Sequence, residues 1–302
     1  MAWFDGFTSG RFSVGTATNG ADIFARWGGN RSKPAVLLLH GFPQSHVLWH
    51  RLAQQLQHDF FVVMPDLRGY GDSSTPLALA GHAQASKRAL AQDMVDVMAA
   101  LQVDNFYLCG HDRGGRVAHR LALDHAAKVR KLCVIDIAPT LDMYNATNMD
   151  FARAYYHWFH LIQPSPLPER MIYRDWKNYL HAKLGGWGGN GLAYIEPEAL
   201  AEYERCFARM PTIHSMCEDY RASAGIDLDH DRASRAAAQK IACDTMVLWG
   251  ERGVVHRMFT PRELWQAQCS AQVSGQVMAA GHFIPEELPQ ATAAHLQSFF
   301  KA

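Results

Sequence analysis

Unbroken apolar runs alternate with stretches of helical periodicity along most of the chain. Residues 35–39 and 60–64 are continuous apolar runs, the pattern of strands covered on both faces. Residues 106–109, 131–137 and 245–250 continue the series, and a last strand is predicted over roughly 275–279. Leu90, Met94, Val97, Met98 and Leu101 recur at helical spacing within 87–101, and further helices are predicted at 49–56, 117–123 and 290–300. Near the start, 12–16 and 22–27 alternate polar with apolar residues and predict a hairpin. This order predicts an α/β fold, a mostly parallel central sheet with helices on both faces. The alternation stops after Ile137. From 140 to about 230, Trp, Tyr, His, Met and Pro cluster without any strand pattern, which predicts a largely helical insertion. The chain therefore divides into a core of residues 1–139 and 233–302 and a helical cap of residues 140–232. No internal repeat or low-complexity tract interrupts it.

The run 106–109 leads into Gly110-His111-Asp112-Arg113-Gly114-Gly115-Arg116 and then into a helical pattern. Strand, glycine-flanked turn and helix make a nucleophile elbow, which lifts one side chain to the edge of a parallel sheet. Serine is the usual occupant; here it is Asp112. A carboxylate nucleophile attacks saturated carbon and leaves a covalent ester, so the chemistry moves from acyl transfer to displacement at an alkyl carbon. Cleaving that ester needs a base to activate water, a second carboxylate to orient the base, and backbone donors for the oxyanion. His282 follows the last strand, where the base belongs in this chain order. For the orienting acid, Asp136 lies in the apolar run Val134-Ile135-Asp136-Ile137, where a charge is costly without a partner. Glu251 and Asp142 are the alternatives. The backbone N–H of Phe42, after the 35–39 strand, and that of Arg113 are placed for the oxyanion; Pro43 has no N–H to offer. Arg113 and Arg116 bracket the nucleophile, and their planar forks suit a substrate carboxylate.

Composition narrows the partners. Lys and Arg together number 29, as do Asp and Glu, so formal net charge is zero and neither nucleic acid nor an anionic membrane is implied. Apolar residues are 48% of the chain, enough for a substantial core. The six cysteines form no CxxC pair and read as reduced core thiols. With no basic-then-apolar leader and no run long enough to span a bilayer, a soluble cytoplasmic protein is expected. Asp227, Asp229 and Asp231 alternate like a calcium loop but lack its glycine and distal glutamate, and read as a solvated loop. His157 and His160 stand at i,i+3 spacing with no third ligand nearby, so no metal is expected. The glycine-rich stretch 185–191 reads as a cap loop without a derivable role.

Together these residues resemble the α/β-hydrolase superfamily and, within it, the fluoroacetate (haloacetate) dehalogenases. The resemblance spans essentially the whole chain. It rests partly on His40-Gly41-Phe42-Pro43-Gln44 and Asp66-Leu67-Arg68-Gly69-Tyr70-Gly71, which epoxide hydrolases share. More specific are the doubly arginine-flanked elbow, Tyr156-His157-Trp158 and Asp219-Tyr220-Arg221-Ala222; Gly281-His282-Phe283 also fits. The resemblance implies an α/β-hydrolase fold, a homodimer, no cofactor, and hydrolysis of a small anionic haloacid by Asp112, His282 and Asp136. It also implies that Arg113 and Arg116 hold the substrate carboxylate, and that His157, Trp158 and Tyr220 aim N–H and O–H groups at the departing halide. Donors directed at that developing charge act more in the transition state than in the ground state. Two other readings stay open. One is an epoxide hydrolase with the same nucleophile and base, its ring opening assisted by Tyr155, Tyr156 or Tyr220. The other is a catalytically silent ligand-binding protein on the same scaffold.

Overall fold

The apolar runs become the strands of one sheet. The structure, a computed structural model, describes residues 2–16, 19–188 and 191–302. Among these residues the sheet has the order β1-β2-β4-β3-β5-β6-β7-β8. The strands are β1 (Phe7–Val14), β2 (Ala21–Gly28), β3 (Ala35–Leu39), β4 (Phe61–Pro65), β5 (Phe106–His111), β6 (Val129–Ile135), β7 (Thr245–Gly250) and β8 (Val273–Met278). β1 and β2 form the antiparallel hairpin, with Phe7 opposite Gly28 and Val14 opposite Ala21, and β2 runs antiparallel to β4. The remaining pairings are parallel. β3, β4 and β5 are buried along their whole length, as strands sandwiched between helices must be.

Three helices alternate with the first strands: α1 (His50–Leu56), α2 (Lys87–Ala100) and α3 (Arg113–Asp124). α2 shows how the pattern becomes structure. Ser86 caps it by accepting the N–H of Ala89, and Leu90, Met94, Val97 and Met98 are buried along one side. Between β6 and β7 the described chain is helical: α4 (Thr140–Asn145), α5 (Met149–Ala154), α6 (Tyr156–Leu161), α7 (Leu167–Arg174), α8 (Trp176–Gly188), α9 (Pro197–Phe207), α10 (Met210–Ala224) and α11 (Ile226–Ala236). α12 (Val254–Met258) and α13 (Pro261–Gln268) follow β7; α14 (Ile284–Glu287) and α15 (Pro289–Lys301) follow β8. α15 packs on α1 on one side of the sheet and α2 packs on α3 on the other.

Three expectations change. The strand expected over 131–137 ends at Ile135, and Asp136 follows it with φ 50°. The charge thus stands just past the strand instead of within it. Asp227, Asp229 and Asp231 lie on α11, not in a solvated loop. At helical spacing Asp227 and Asp231 share one side, where Asp227 accepts the backbone N–H of Lys87 at 2.8 Å and Asp231 accepts from Arg120 at 2.6 Å. Acids in a first helical turn also favour the positive end of the helix dipole. The glycine-rich stretch expected to be a loop instead supplies the last turn of α8 through Gly188; Gly189 and Asn190 lie outside the described residues.

Candidate active site

The elbow is built by close backbone packing. Asp112, between β5 and α3, has φ 48° and ψ −116°, a strained conformation for a residue with a side chain. Its neighbours must be small. A Cβ on Gly114 would lie 2.3 Å from the carbonyl oxygens of Leu39 and His40, and one on Gly41 would lie 2.5 Å from the Cβ of Asp112. The end of β3 therefore presses against the start of α3, and Phe42 N–H donates to Asp112 Oδ1 at 2.9 Å. Burial alone would raise the Asp112 carboxyl, but the positive charge of His282, His111, Arg113 and Arg116 holds it below the usual carboxylate range.

His282 follows β8 and faces the elbow. Its Nδ1 is 2.6 Å from Asp136 Oδ2, and its Nε2 is 3.9 Å from Asp112 Oδ2. The second distance is too long for a hydrogen bond, but it leaves the ring beside the Asp112 carboxyl group. Asp136 Oδ1 accepts the Gly250 N–H at 2.9 Å, so the positive φ at Asp136 turns its carboxylate between β7 and the imidazole. Burial opposes charge on His282, yet the hydrogen bond and charge of Asp136, with Asp112 beyond, raise its pKa above the ordinary histidine value. Of the two alternative acids, Asp142 pairs with Arg235 at 2.7 Å and Glu251 is exposed. The structure brings Asp136 to the base.

The two arginines are held differently. Arg113 is buried, and its fork is already engaged: Nε and Nη2 donate to the Asp219 carboxylate at 2.8 and 3.0 Å, and Nη2 also donates to Ser223 Oγ. Lys87 Nζ and the Tyr70 hydroxyl donate to the same carboxylate. Arg113 and Lys87 hold the Asp219 carboxyl far below its usual range, against the upward effect of burial. Only Nη1 of Arg113 is left buried without a protein acceptor. Arg116 has no acid of its own. Its Nη1 donates to Ala138 O at 3.2 Å and Thr140 Oγ1 at 2.9 Å, while its Nε has no acceptor. Burial and the nearby Arg113 lower its pKa. The nitrogens left open therefore come from both arginines, Nη1 of Arg113 and Nε of Arg116.

His157, Trp158 and Tyr220 are all brought to this place and are almost fully buried. The Arg113 guanidinium lies 4.1 Å from the centroid of the Tyr220 ring, and that of Arg116 lies 4.8 Å from Trp158. His157 stacks on Phe42 with centroids 5.9 Å apart, and Tyr220 stands edge-on to both rings. The two guanidinium groups and these aromatic side chains are thus layered on one another. Burial, then the charges of Lys183 and Arg113, hold His157 neutral with a pKa well below the ordinary value. Among the described residues no group of three His, Cys, Asp or Glu side chains could hold a metal ion, and all six cysteines are unpaired.

Two residues escaped the sequence reading. Asp219, visible only inside a motif, immobilises Arg113. Trp187, on the glycine-rich turn of α8, has its ring 4.6 Å from that of His157 and 5.4 Å from that of His282. Its carbonyl accepts the His282 N–H at 3.0 Å. A lone indole among glycines was the available signal. A cavity of about 200 Å³ lined by Tyr155, Trp187, Arg252, Val254, Arg257 and His282 reaches the base.

A carboxylate-bearing elbow at the C-terminal edge of a parallel sheet, with a His–Asp pair beside it, defines the class as hydrolases of the α/β fold. A family model described as the α/β hydrolase fold matches residues 34–287. The chain is 39% identical over 296 residues to a fluoroacetate dehalogenase from a Burkholderia species, covering 98% of this chain and 94% of that protein. It is 31% identical over 258 residues to a soluble epoxide hydrolase from Corynebacterium sp. (strain C12), covering 84% of this chain and 86% of that one. The crystal structure of ALR0039 from Nostoc sp. PCC 7120 superposes with a TM-score of 0.92 at 47% identity, covering 98% of this chain and 99% of that one. The chain belongs to the α/β-hydrolase superfamily and, within it, to the haloacetate dehalogenase family.

Proposed function

We propose that this protein hydrolyses haloacetates, fluoroacetate among them, to glycolate and halide through a covalent ester on Asp112, with no cofactor. One observation carries the reading. An ionised nucleophile sits beside two buried guanidinium groups, and each keeps a nitrogen, Arg113 Nη1 and Arg116 Nε, without a protein acceptor. Buried charged donors are costly to leave open. A small carboxylate satisfies both and is held with its α-carbon toward Asp112.

In the first step an Asp112 oxygen attacks that carbon from behind, the C–O bond forms as the carbon–halogen bond breaks, and halide leaves toward His157, Trp158 and Tyr220. In the second step His282 takes a proton from water as it adds to the Asp112 carboxyl carbon. Phe42 N–H, already on Asp112 Oδ1, and the Arg113 N–H stabilise the oxyanion. Collapse expels the glycolate alkoxide, which recovers the proton from His282. The second half needs the neutral imidazole, so turnover limited by it should rise as pH passes the raised His282 pKa.

The Corynebacterium relative and the placement of Tyr155 support epoxide opening as a second reading. Tyr155 is buried with Asp112 and Asp136 acting on its hydroxyl, while Tyr156 is 48% exposed and lies over Lys183. The test is to replace His282 by Asn and add fluoroacetate. Peptide mass spectrometry should find a carboxymethyl group on Asp112. Normal turnover, or an adduct elsewhere, would overturn the scheme; styrene oxide turnover without halide release from any haloacetate would favour the epoxide reading.

A further inference from the structure

One buried ammonium has no part in the chemistry described so far. Lys183, on α8, is only 4% exposed. Among the described residues its Nζ has no hydrogen bond and no ion pair. Its surroundings are aromatic: Nζ lies 3.7 Å from the centroid of the Tyr156 ring, 5.2 Å from that of Tyr179 and 5.4 Å from that of Trp187. Ring faces attract a cation, but less than a carboxylate would. Burial accordingly pushes the amine down to about 8. The fold keeps a charge here where an apolar side chain would pack at lower cost.

The cage is shared with the halide donors. Trp187 is the ring packed 4.6 Å from His157, and Tyr156 precedes His157 on α6. After burial, the charge of Lys183 is the leading influence on His157, ahead of Arg113. A neutral imidazole carries one N–H and one lone pair, and the neighbouring ring nitrogen's hydrogen bonds ordinarily decide which is which. His157 Nδ1 is buried with no such partner. A nearby cation can supply the missing preference, favouring the tautomer whose lone pair lies nearer the ammonium. The groups facing Lys183 are Tyr156, His157 and His160 on α6 and Tyr179 and Trp187 on α8. Glu169 on α7 acts on His160, and Cys217 on α10 acts on Tyr179. No acid in this set touches the ammonium.

We propose that Lys183 is a positioning residue for the leaving group, its charge orienting and polarising the His157 N–H toward the departing halide. The inference rests on the haloacetate reading. Because fluoride concentrates more charge than bromide, its departure depends most on this donor. Only the ammonium form acts, so halide release from fluoroacetate falls as pH rises through about 8.

The experiment measures halide release in a single turnover from fluoroacetate and bromoacetate across pH, for wild type, Lys183→Met and Lys183→Arg. Lys183→Met should slow fluoride release about tenfold and bromide release less than about twofold, and should abolish the alkaline limb. Lys183→Arg, which keeps the charge, should retain the fluoride-to-bromide ratio and move the limb to higher pH. Histidine-ring NMR gives a readout without turnover: the His157 pKa should rise in Lys183→Met and stay low in Lys183→Arg. Equal loss on both substrates, an unmoved alkaline limb or an unmoved His157 resonance would overturn the inference. Wild-type protein that releases no halide from either substrate would instead remove the functional reading and the inference with it.

Discussion

Asp219 does for Arg113 what Asp136 does for His282: each carboxylate fixes a working side chain before any substrate arrives. Asp219→Asn would leave Arg113 and Lys87 buried without that counter-charge, at a cost of about 3–5 kcal/mol in urea denaturation. It should also raise KM for haloacetates more than it lowers kcat, since the Arg113 clamp loses its anchor. The sign with pH follows from the depressed carboxyl: its stabilisation is complete above the unfolded carboxylate range and is lost as pH falls through the folded value. The variant should therefore differ from wild type most at neutral pH and least in strong acid. At this scale the residues gathered at the site stood out where a residue type broke a local pattern. Asp112 replaces serine at an elbow, and Asp136 puts a charge inside an apolar run. Asp219 broke no pattern, because its role depends on a cation 106 residues away in sequence.

Among the elements, the elbow and the end of α8 use glycine for opposite reasons. Gly114 is required by contact: any Cβ meets two backbone oxygens that cannot move aside. Gly114→Ala should cost about 3 kcal/mol or more and abolish activity by shifting Phe42 off Asp112. Gly186, on α8, has nothing within 4 Å of an added Cβ. Gly186→Ala should leave folding intact and raise thermal stability by up to about 1 kcal/mol, the ordinary helix cost of glycine. Calorimetry on the pair separates a steric requirement from a tolerated weakness. That weakness explains why 185–188 read as a loop. Local propensity there opposes a helix, and the turn is held by Trp187 packing on His157 and Phe283, contacts made at long range. β3, β4 and β5 were legible because burial on both faces writes itself into every residue. The aspartates of α11 were misread because an alternating set also contains an i,i+4 pair.

For the molecule as a whole, zero formal charge conceals buried carboxyls pulled in opposite directions. Asp66, held by His46 and the Asp72 N–H against the opposing effect of burial, is lowered to about 2, so its stabilisation is lost in acid. Glu286 behaves inversely. Burial raises it to about 8, and it joins core to cap by accepting from Gln44 at 2.5 Å and from the Tyr203 hydroxyl at 2.9 Å. The folded state keeps a proton that the unfolded chain releases, so stability falls as pH climbs from the ordinary carboxylate range toward 8. Glu286→Gln should flatten that decline, which reaches about 1 kcal/mol per pH unit, in urea midpoints taken across the window.

The cavity beside Tyr155 and Trp187 bears on the timing of the second half-reaction. Its roughly 200 Å³ is room for several water molecules, and it ends on the imidazole. On the proposed mechanism, water for the second step would reach His282 through this cavity. Hydrolysis of the proposed ester would draw on water held beside the base, so a bulky substitution that fills this cavity should lengthen the ester's lifetime.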